Sequence, residues 1–74
     1  MVRVWSVGGM ELVINGERKT VRSATLQELL EELEVLGLRC ATMVNGRIVR
    51  RTDRATTQLA PGDGVEIITM VGGG

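Results

Sequence analysis

Two Asn-Gly dipeptides, Asn15-Gly16 and Asn45-Gly46, constrain most strongly what this 74-residue chain can fold into. Both central residues of a type I′ turn need positive φ, so Asn-Gly between extended segments is the strongest short signal for a β-hairpin. Each dipeptide here is flanked by residues suited to strands. The sequence therefore predicts one hairpin in each half of the chain, with strands at residues 11–14, 18–21, 40–44 and 48–49.

One helix is predicted between the two hairpins. Thr25 and Glu28 have the T-x-x-E spacing of a capping box, in which each side chain accepts a hydrogen bond from the other residue's backbone. We expect the helix to end at Gly37, since glycine is common at the C′ position of helices. The leucines at helical spacing form a single apolar stripe: Leu26, Leu29, Leu30, Leu33 and Leu36.

The last predicted strand, residues 65–71, follows a Pro-Gly-Asp-Gly turn. Its apolar run indicates a central strand, too apolar to have one face in water. The order β-β-α-β-β-β is packed most simply with the first and last strands adjacent and parallel, and with the helix in the crossover. The predicted fold class is α+β: a β-grasp (ubiquitin-like) roll with a mixed sheet of four to five strands and one helix packed on one face.

Three segments are predicted along the chain. Residues 1–9 are expected to form a mobile N-terminal extension, with Met10 as the natural beginning, because the first strand of a β-grasp already has a neighbour on each side. Strong amide-exchange protection at Val2 and Val4 would contradict this. Residues 10–71 form the β-grasp domain, and residues 72–74 form a flexible, reactive glycine tail.

Composition excludes several classes of function. Nine basic and nine acidic residues cancel, and Trp5 is the only aromatic residue, so nothing indicates nucleic-acid binding. The chain has no apolar run near 18 residues and no signal-peptide pattern, which argues against a membrane protein. The single cysteine, Cys40, favours a reducing, cytoplasmic location. Without histidine, the chain lacks the commonest general base and metal ligand, so we expect no metal site and no enzyme activity of its own.

The three glycines at residues 72–74 need a separate explanation. Glycine has no Cβ, adds nothing to a core and loses much conformational entropy on ordering. A terminal carboxylate is ionised at pH 7 and can act as a nucleophile. The tail and the Gly74 carboxylate are therefore interpreted as the working part of the molecule. The alternative is a disordered end or a cloning scar.

With these elements in place, the chain resembles the ThiS family of sulfur-carrier proteins of thiamine (thiazole) biosynthesis. The resemblance covers residues 10–74. Each motif alone is weak evidence for the family, but the motifs together, with the glycines at the end, are specific for it. The segments that carry it are Val13-Ile14-Asn15-Gly16, Thr25-Leu26-Gln27-Glu28-Leu29-Leu30, Val44-Asn45-Gly46, Leu59-Ala60-Pro61-Gly62-Asp63-Gly64-Val65-Glu66-Ile67-Ile68 and Val71-Gly72-Gly73-Gly74.

The resemblance implies a carrier that is acted on by partner enzymes. An E1-like adenylyltransferase of the ThiF type would adenylate the Gly74 carboxylate with ATP, and the chain itself would bind no cofactor. A cysteine desulfurase system would supply sulfur indirectly for a C-terminal thiocarboxylate. Thiazole synthase of the ThiG type would then receive that sulfur. Gly73 and Gly72 would let the tail thread the activating channel, with Gly73 required to stay small.

Two residues before the glycines are candidate contacts with the activating enzyme. Met70 and Val71 lead from the last strand into the tail, and Val71 is the better candidate. The alternative is that both simply end a core strand. The other candidate partner surface is the sheet face not covered by the helix, although the sequence does not name all its residues.

Two other functions stay open from the sequence. The chain is similar in design to the small subunit of molybdopterin synthase, which also ends in Gly-Gly, and to carriers for other sulfur metabolites. A different class is a ubiquitin-like modifier conjugated to lysines through Gly74. Intact mass separates the two classes, because a carrier exchanges one oxygen for sulfur whereas a modifier forms amide adducts.

Cys40 and the charged residues of the helix and the second half are not expected to form a functional site. Cys40 is expected to be a small buried hydrophobe, with a sulfur relay as the alternative. Two charged groups are expected to face solvent, with partner docking as the alternative for each: Glu28, Glu31, Glu32 and Glu34 on the helix, and Arg47, Arg50, Arg51 and Arg54 in the second half.

Overall fold

A computed structural model describes residues 9–70, which contain five strands, one α-helix and one 3₁₀ helix. The order of strands and α-helix is the predicted β-β-α-β-β-β, while the 3₁₀ helix lies in a segment predicted to be irregular. In chain order the elements are β1 (Met10–Ile14), β2 (Glu17–Val21), α1 (Leu26–Glu32), β3 (Cys40–Val44), β4 (Arg47–Val49), the 3₁₀ helix (Arg51–Asp53) and β5 (Gly64–Thr69).

The five strands form one mixed sheet in the order β2-β1-β5-β3-β4. β1 and β5 are parallel, with Ile14 opposite Val65, and the other neighbouring pairs are antiparallel. This is the β-grasp arrangement predicted from the sequence, with β5 in the centre. β1 lies between β2 and β5, so neither of its edges is open.

The predicted N-terminal extension lies mostly outside the described residues. Gly9, its last residue, is described and has a φ of +72°. A Cβ at this position would lie 2.6 Å from the carbonyl oxygen of Val21, at the end of β2. Gly9 is therefore a position where only glycine fits, while the mobility predicted for residues 1–9 stays a prediction.

Both Asn-Gly turns have the predicted geometry. Asn15 and Gly16 have φ values of 50° and 84°, and Asn45 and Gly46 have values of 51° and 83°. Asn15 also bonds to the central strand through its side chain. Its Nδ2 donates to the carbonyl oxygen of Ile67 at 3.2 Å, and its Oδ1 accepts from the Ile67 backbone N–H at 2.9 Å. The first turn is therefore fastened to β5 as well as to its own hairpin.

The core lies between α1 and one face of the sheet. The first half of the predicted leucine stripe is completely buried there, which confirms the amphipathic pattern of the helix. Burial of apolar surface is the main stabilising contribution in a domain of this size. The buried apolar residues are Leu12, Ile14, Val21, Leu26, Leu29, Leu30, Leu59, Val65 and Ile67.

The predicted capping box begins α1. The backbone N–H of Glu28 donates to Thr25 Oγ1 at 3.2 Å, and Glu28 Oε1 accepts from the backbone N–H of Thr25 at 3.2 Å. The same carboxylate oxygen accepts from the N–H of Ala24 at 2.8 Å. Glu28 therefore has a structural role at the helix N-terminus, where its negative charge also complements the helix dipole.

The prediction for the helix C-terminus was wrong. α1 ends at Glu32, with Leu33 as C-cap, and the C′ residue with positive φ is Glu34 at 62°, not Gly37. The N–H of Glu34 bonds to Glu31 and that of Val35 to Leu30, which is the Schellman pattern. Val35 packs against the core at this point. The helix end therefore coincides with the contact of partly buried Val35 with the core, and it places a glutamate in the left-handed region.

Glu32 is likewise structural and not a solvated helix residue. Its Oε1 accepts hydrogen bonds from the N–H of Arg22 at 3.0 Å and the N–H of Ser23 at 3.1 Å. It also accepts from Ser23 Oγ at 2.5 Å, and Ser23 is completely buried. The carboxylate therefore fastens the connection between β2 and α1 to the last turn of the helix.

Candidate functional site at the end of the central strand

The candidate site is the end of the sheet where β5 ends. Thr69, its last residue, lies opposite Cys40, the first residue of β3. The backbone N–H of Met70 donates to the carbonyl oxygen of Arg39 at 2.8 Å, so the pairing with the β3 side continues one residue past the strand. Met70, the last described residue, is therefore held beside Arg39 at the end of the central strand.

Of the predicted site residues, only Met70 belongs to the described part of the chain. Its side chain is 54% exposed, which suits a contact residue better than a core residue. Val71, Gly72, Gly73 and Gly74 lie outside the described residues, so their roles stay predictions. Within residues 9–70, no three His, Cys, Asp or Glu side chains are grouped in a way that could hold a metal ion.

The sheet face opposite α1 carries exposed apolar side chains. Val65 and Ile67 point into the core, whereas Ile68 is 57% exposed. The expectation that the last strand is covered on both faces was therefore wrong, because α1 covers only one. On the open face, the register places Ile68 beside Ala41 and Met43 beside Ile48, which is 77% exposed. We call Ala41, Met43, Ile48 and Ile68 the open-face patch.

The sequence predicts the sheet face not covered by the helix as a partner surface, but it does not name all the residues of that face. Asn45-Gly46 fixes the register of β3 against β4, and alternation along β5 assigns Glu66 and Ile68 to the face opposite Val65 and Ile67. Since the chain offers one helix, one sheet face must stay open. The existence of an open face therefore follows from the sequence, whereas the residues of the patch follow from the strand register in the structure.

A cleft of about 270 Å³ lies on the helix side of the same sheet end. We call it the arginine cleft and define it by Leu36, Leu38, Arg39, Arg51 and Arg54, which line it. Leu36 and Leu38 are exposed apolar side chains of the loop after α1. The cleft therefore combines three guanidinium groups with an apolar rim.

Arg54 is buried, which contradicts the expectation that it belongs to a solvated loop. Only 7% of its surface is exposed. Its Nε donates to Thr42 Oγ1 at 3.2 Å and its Nη2 donates to the carbonyl oxygen of Cys40 at 2.7 Å. The 3₁₀ helix folds the chain back over the start of β3, and this brings Arg54 inside. Arg47, Arg50 and Arg51 are exposed as expected.

Cys40 is half-buried and packs against the core. This agrees with its interpretation as a small hydrophobic residue. Among the helices within residues 9–70, none has the length and apolar character needed to cross a bilayer.

The mixed sheet, with β5 at its centre and α1 on one face, defines a ubiquitin-like β-grasp protein. A family model described as the ThiS family matches residues 12–74, which is most of the chain. The chain therefore belongs to the ThiS family, the family of small sulfur-carrier proteins that its sequence resembles.

Two solved structures are similar to this chain over their whole fold. Both are of the thiamine biosynthesis protein ThiS of Geobacter metallireducens, at 33% sequence identity. The crystal structure gives a TM-score of 0.73 and covers 88% of this chain and 100% of that chain. The NMR solution structure gives a TM-score of 0.72 and covers 88% of each.

A curated relative is much longer. The thiazole synthase of Paramagnetospirillum magneticum is 39% identical to this chain over 66 residues. The match covers 88% of this chain but only 20% of that protein, so the chain spans about a fifth of its length.

Proposed function

We propose that the chain is a sulfur carrier for thiazole formation in thiamine biosynthesis, with the Gly74 carboxylate as the carrying group. The observation that carries this proposal is the family match, which runs through the glycine tail to residue 74. The central position of β5 supports it, because a strand held between two neighbours presents the following residues from a rigid base.

The chemistry assigns activation to a partner. A Gly74 carboxylate oxygen attacks the α-phosphorus of ATP, diphosphate leaves, and an acyl-adenylate forms at the chain end. The terminal sulfur of a persulfide, which a desulfurase system forms from cysteine, then attacks the acyl carbon, and AMP leaves. The product of this step is an acyl disulfide, and a thiol reductant cleaves its S–S bond to release the thiocarboxylate. The activating site must exclude water, since water would otherwise hydrolyse the acyl-adenylate.

The glycines suit this chemistry by their lack of a Cβ. A thin tail can enter a narrow channel. A side chain at residue 73 or 74 would make the tail wider and would restrict its backbone. Gly72 serves as spacing between the sheet and the channel. The carrier itself needs no bound cofactor, because the E1-like enzyme binds the ATP.

The open-face patch is the contact surface that we assign to the E1-like activating enzyme, together with Met70 and Val71. Exposed apolar residues that are contiguous on one face commonly mark a protein contact. The patch includes Ile68 of β5, two residues before Met70, so it lies within reach of an enzyme that takes up the tail.

Thiazole synthase is the sulfur acceptor that we propose. The supporting observation is that a protein named thiazole synthase contains a region 39% identical to this chain. Joining a carrier to its acceptor in one chain raises the effective concentration of the tail at the acceptor site. This observation favours the thiazole acceptor over the large subunit of molybdopterin synthase.

Co-purification tests the assignment of the acceptor. An affinity tag is placed at the N-terminus, so that the Gly74 carboxylate stays free, and the thiocarboxylated chain is mixed with both acceptors in equal amounts. We expect the tagged chain to recover thiazole synthase and to transfer its sulfur to that acceptor alone. Preferential recovery of the large subunit of molybdopterin synthase would assign the carrier to that pathway. Amide adducts of the chain on lysines would support the modifier function.

A further inference from the structure

The arginine cleft contains more positive charge than the fold uses. Arg54 forms its hydrogen bonds with two uncharged oxygens, Thr42 Oγ1 and the carbonyl of Cys40. A buried cation without an ionic partner is costly. Within the part of the chain that the structure describes, neither Arg39 nor Arg51 is paired with a carboxylate. Three arginines therefore line one cleft, and within residues 9–70 none of them forms an ion pair.

The rim of the cleft is apolar. Leu36 and Leu38 are exposed on either side of Gly37, whose missing side chain leaves open space there. Arginine presents a planar fork of donors that fits a carboxylate in a bidentate manner. An occupant with a carboxylate and an adjoining apolar group would match both the rim and the lining. This combination is typical of an acidic protein segment and not of a bare inorganic anion.

The cleft also lies where a partner must approach. Arg39 accepts the hydrogen bond from Met70, so the cleft borders the point at which the chain leaves the sheet. Four residues span at most about 14 Å when fully extended. An enzyme that holds the Gly74 carboxylate must therefore come within that distance of Met70, which puts the cleft within reach of its surface.

We propose that the arginine cleft binds an acidic segment, an Asp or Glu carboxylate next to an apolar residue, of the enzyme that adenylates Gly74. The inference rests on the proposed function and adds a second contact on the helix side of the sheet. Arg51 is exposed and contacts the partner carboxylate, whereas buried Arg54 holds the 3₁₀ helix to β3. The contact accelerates association and fixes the orientation in which the tail enters.

Charge reversal at two neighbouring residues tests this proposal. Arg51 lines the cleft and Arg50 does not, yet both are exposed, so Arg51→Glu and Arg50→Glu change the net charge equally. With the E1-like enzyme, we expect Arg51→Glu to raise the KM for the carrier about tenfold or more and to reduce its salt dependence. Arg50→Glu should raise KM less than about threefold, and Arg51→Lys should be intermediate because it keeps the charge without the fork.

The outcomes separate the cleft from the proposed function. If the wild-type chain is not adenylated, the proposed function fails. If the wild type is adenylated but Arg51→Glu and Arg50→Glu behave alike, only the cleft proposal is overturned. It is also overturned if Arg51→Glu spares adenylation and impairs only sulfur transfer. Titration of the isolated chain with ATP or inorganic phosphate, followed by amide NMR, should show no saturable shifts at Leu38 and Arg51. Saturable shifts would identify a small-anion site instead.

Discussion

Glu34 is the residue at which the fold forces an unfavourable backbone conformation. It lies at the C′ position of α1 with a φ of 62° because Val35 must reach the core. A residue with a Cβ in this region costs about 1–2 kcal/mol, and part of that cost is recovered when glycine replaces it. Gly37, three residues later, has no positive φ, and no atom lies within 4 Å of the position that a Cβ would occupy there.

Glu34→Gly should therefore stabilise the protein by about 0.5–1 kcal/mol, which raises Tm by roughly 2–8 °C for a domain of this size. Thermal unfolding followed by circular dichroism measures the change. Gly37→Ala is the matched control, and its Tm should change little or rise slightly. A lower Tm for Glu34→Gly would show that the side chain of Glu34 contributes more than its backbone strain costs.

At the scale of elements, the connection between β2 and α1 depends on Glu32. One carboxylate oxygen accepts from two backbone N–H groups and from the hydroxyl of Ser23, which is completely buried. Leaving a buried donor unpaired costs more than an ordinary hydrogen bond contributes.

Glu32→Ala should destabilise the protein by about 1–3 kcal/mol, even though alanine favours the helix. Urea unfolding gives the free energy, and amide exchange at Ser23 should become faster than at core positions. Glu17→Ala, on an exposed strand position, serves as the control and should change stability by at most about 0.5 kcal/mol. Equal stability of the two variants would contradict the structural role of Glu32.

The face of β5 that α1 leaves open makes Ile68 a second test at this scale. Ile68 is more than half exposed, so its substitution affects the core little, but burying it against a partner contributes about 1.5–3 kcal/mol. Both Ile68→Glu and Ile68→Lys should raise the KM for adenylation about tenfold or more, while Ile68→Val stays near wild type. Steady-state kinetics measures this. If only one charge sign impairs adenylation, the contact is electrostatic and not apolar.

At the scale of the whole molecule, the sequence predicted those features that are determined locally. The Asn-Gly turns, the Thr25–Glu28 capping box and the parallel pairing of β1 with β5 all follow from short motifs and their order. Burial of Arg54 could not be predicted, because it depends on how the 3₁₀ helix folds back over β3. The helix end was missed for a similar reason: the contact of Val35 with the core outweighed the local preference for Gly37.

In the proposed function, the β-grasp fold is the base for a reactive chain end, with an apolar surface on one side of the sheet and a cationic cleft on the other. Both surfaces border the point where Met70 leaves the sheet. A carrier without its own catalytic groups has to be recognised by the enzymes that act on it, and recognition therefore resides in these surfaces. The chemistry resides in the glycine tail, which is the central claim.

Intact-mass spectrometry of the chain after incubation tests this claim most directly. The mixture contains the E1-like enzyme, ATP, cysteine, a cysteine desulfurase and a thiol reductant, and the wild-type chain is compared with Gly73→Val, whose valine would widen the tail and restrict its backbone. We predict that the wild type gains the mass of one oxygen-for-sulfur exchange, located at Gly74 by fragmentation. Gly73→Val should keep its original mass with unchanged circular dichroism. An unmodified wild type, or equal sulfur loading of both chains, would contradict the account.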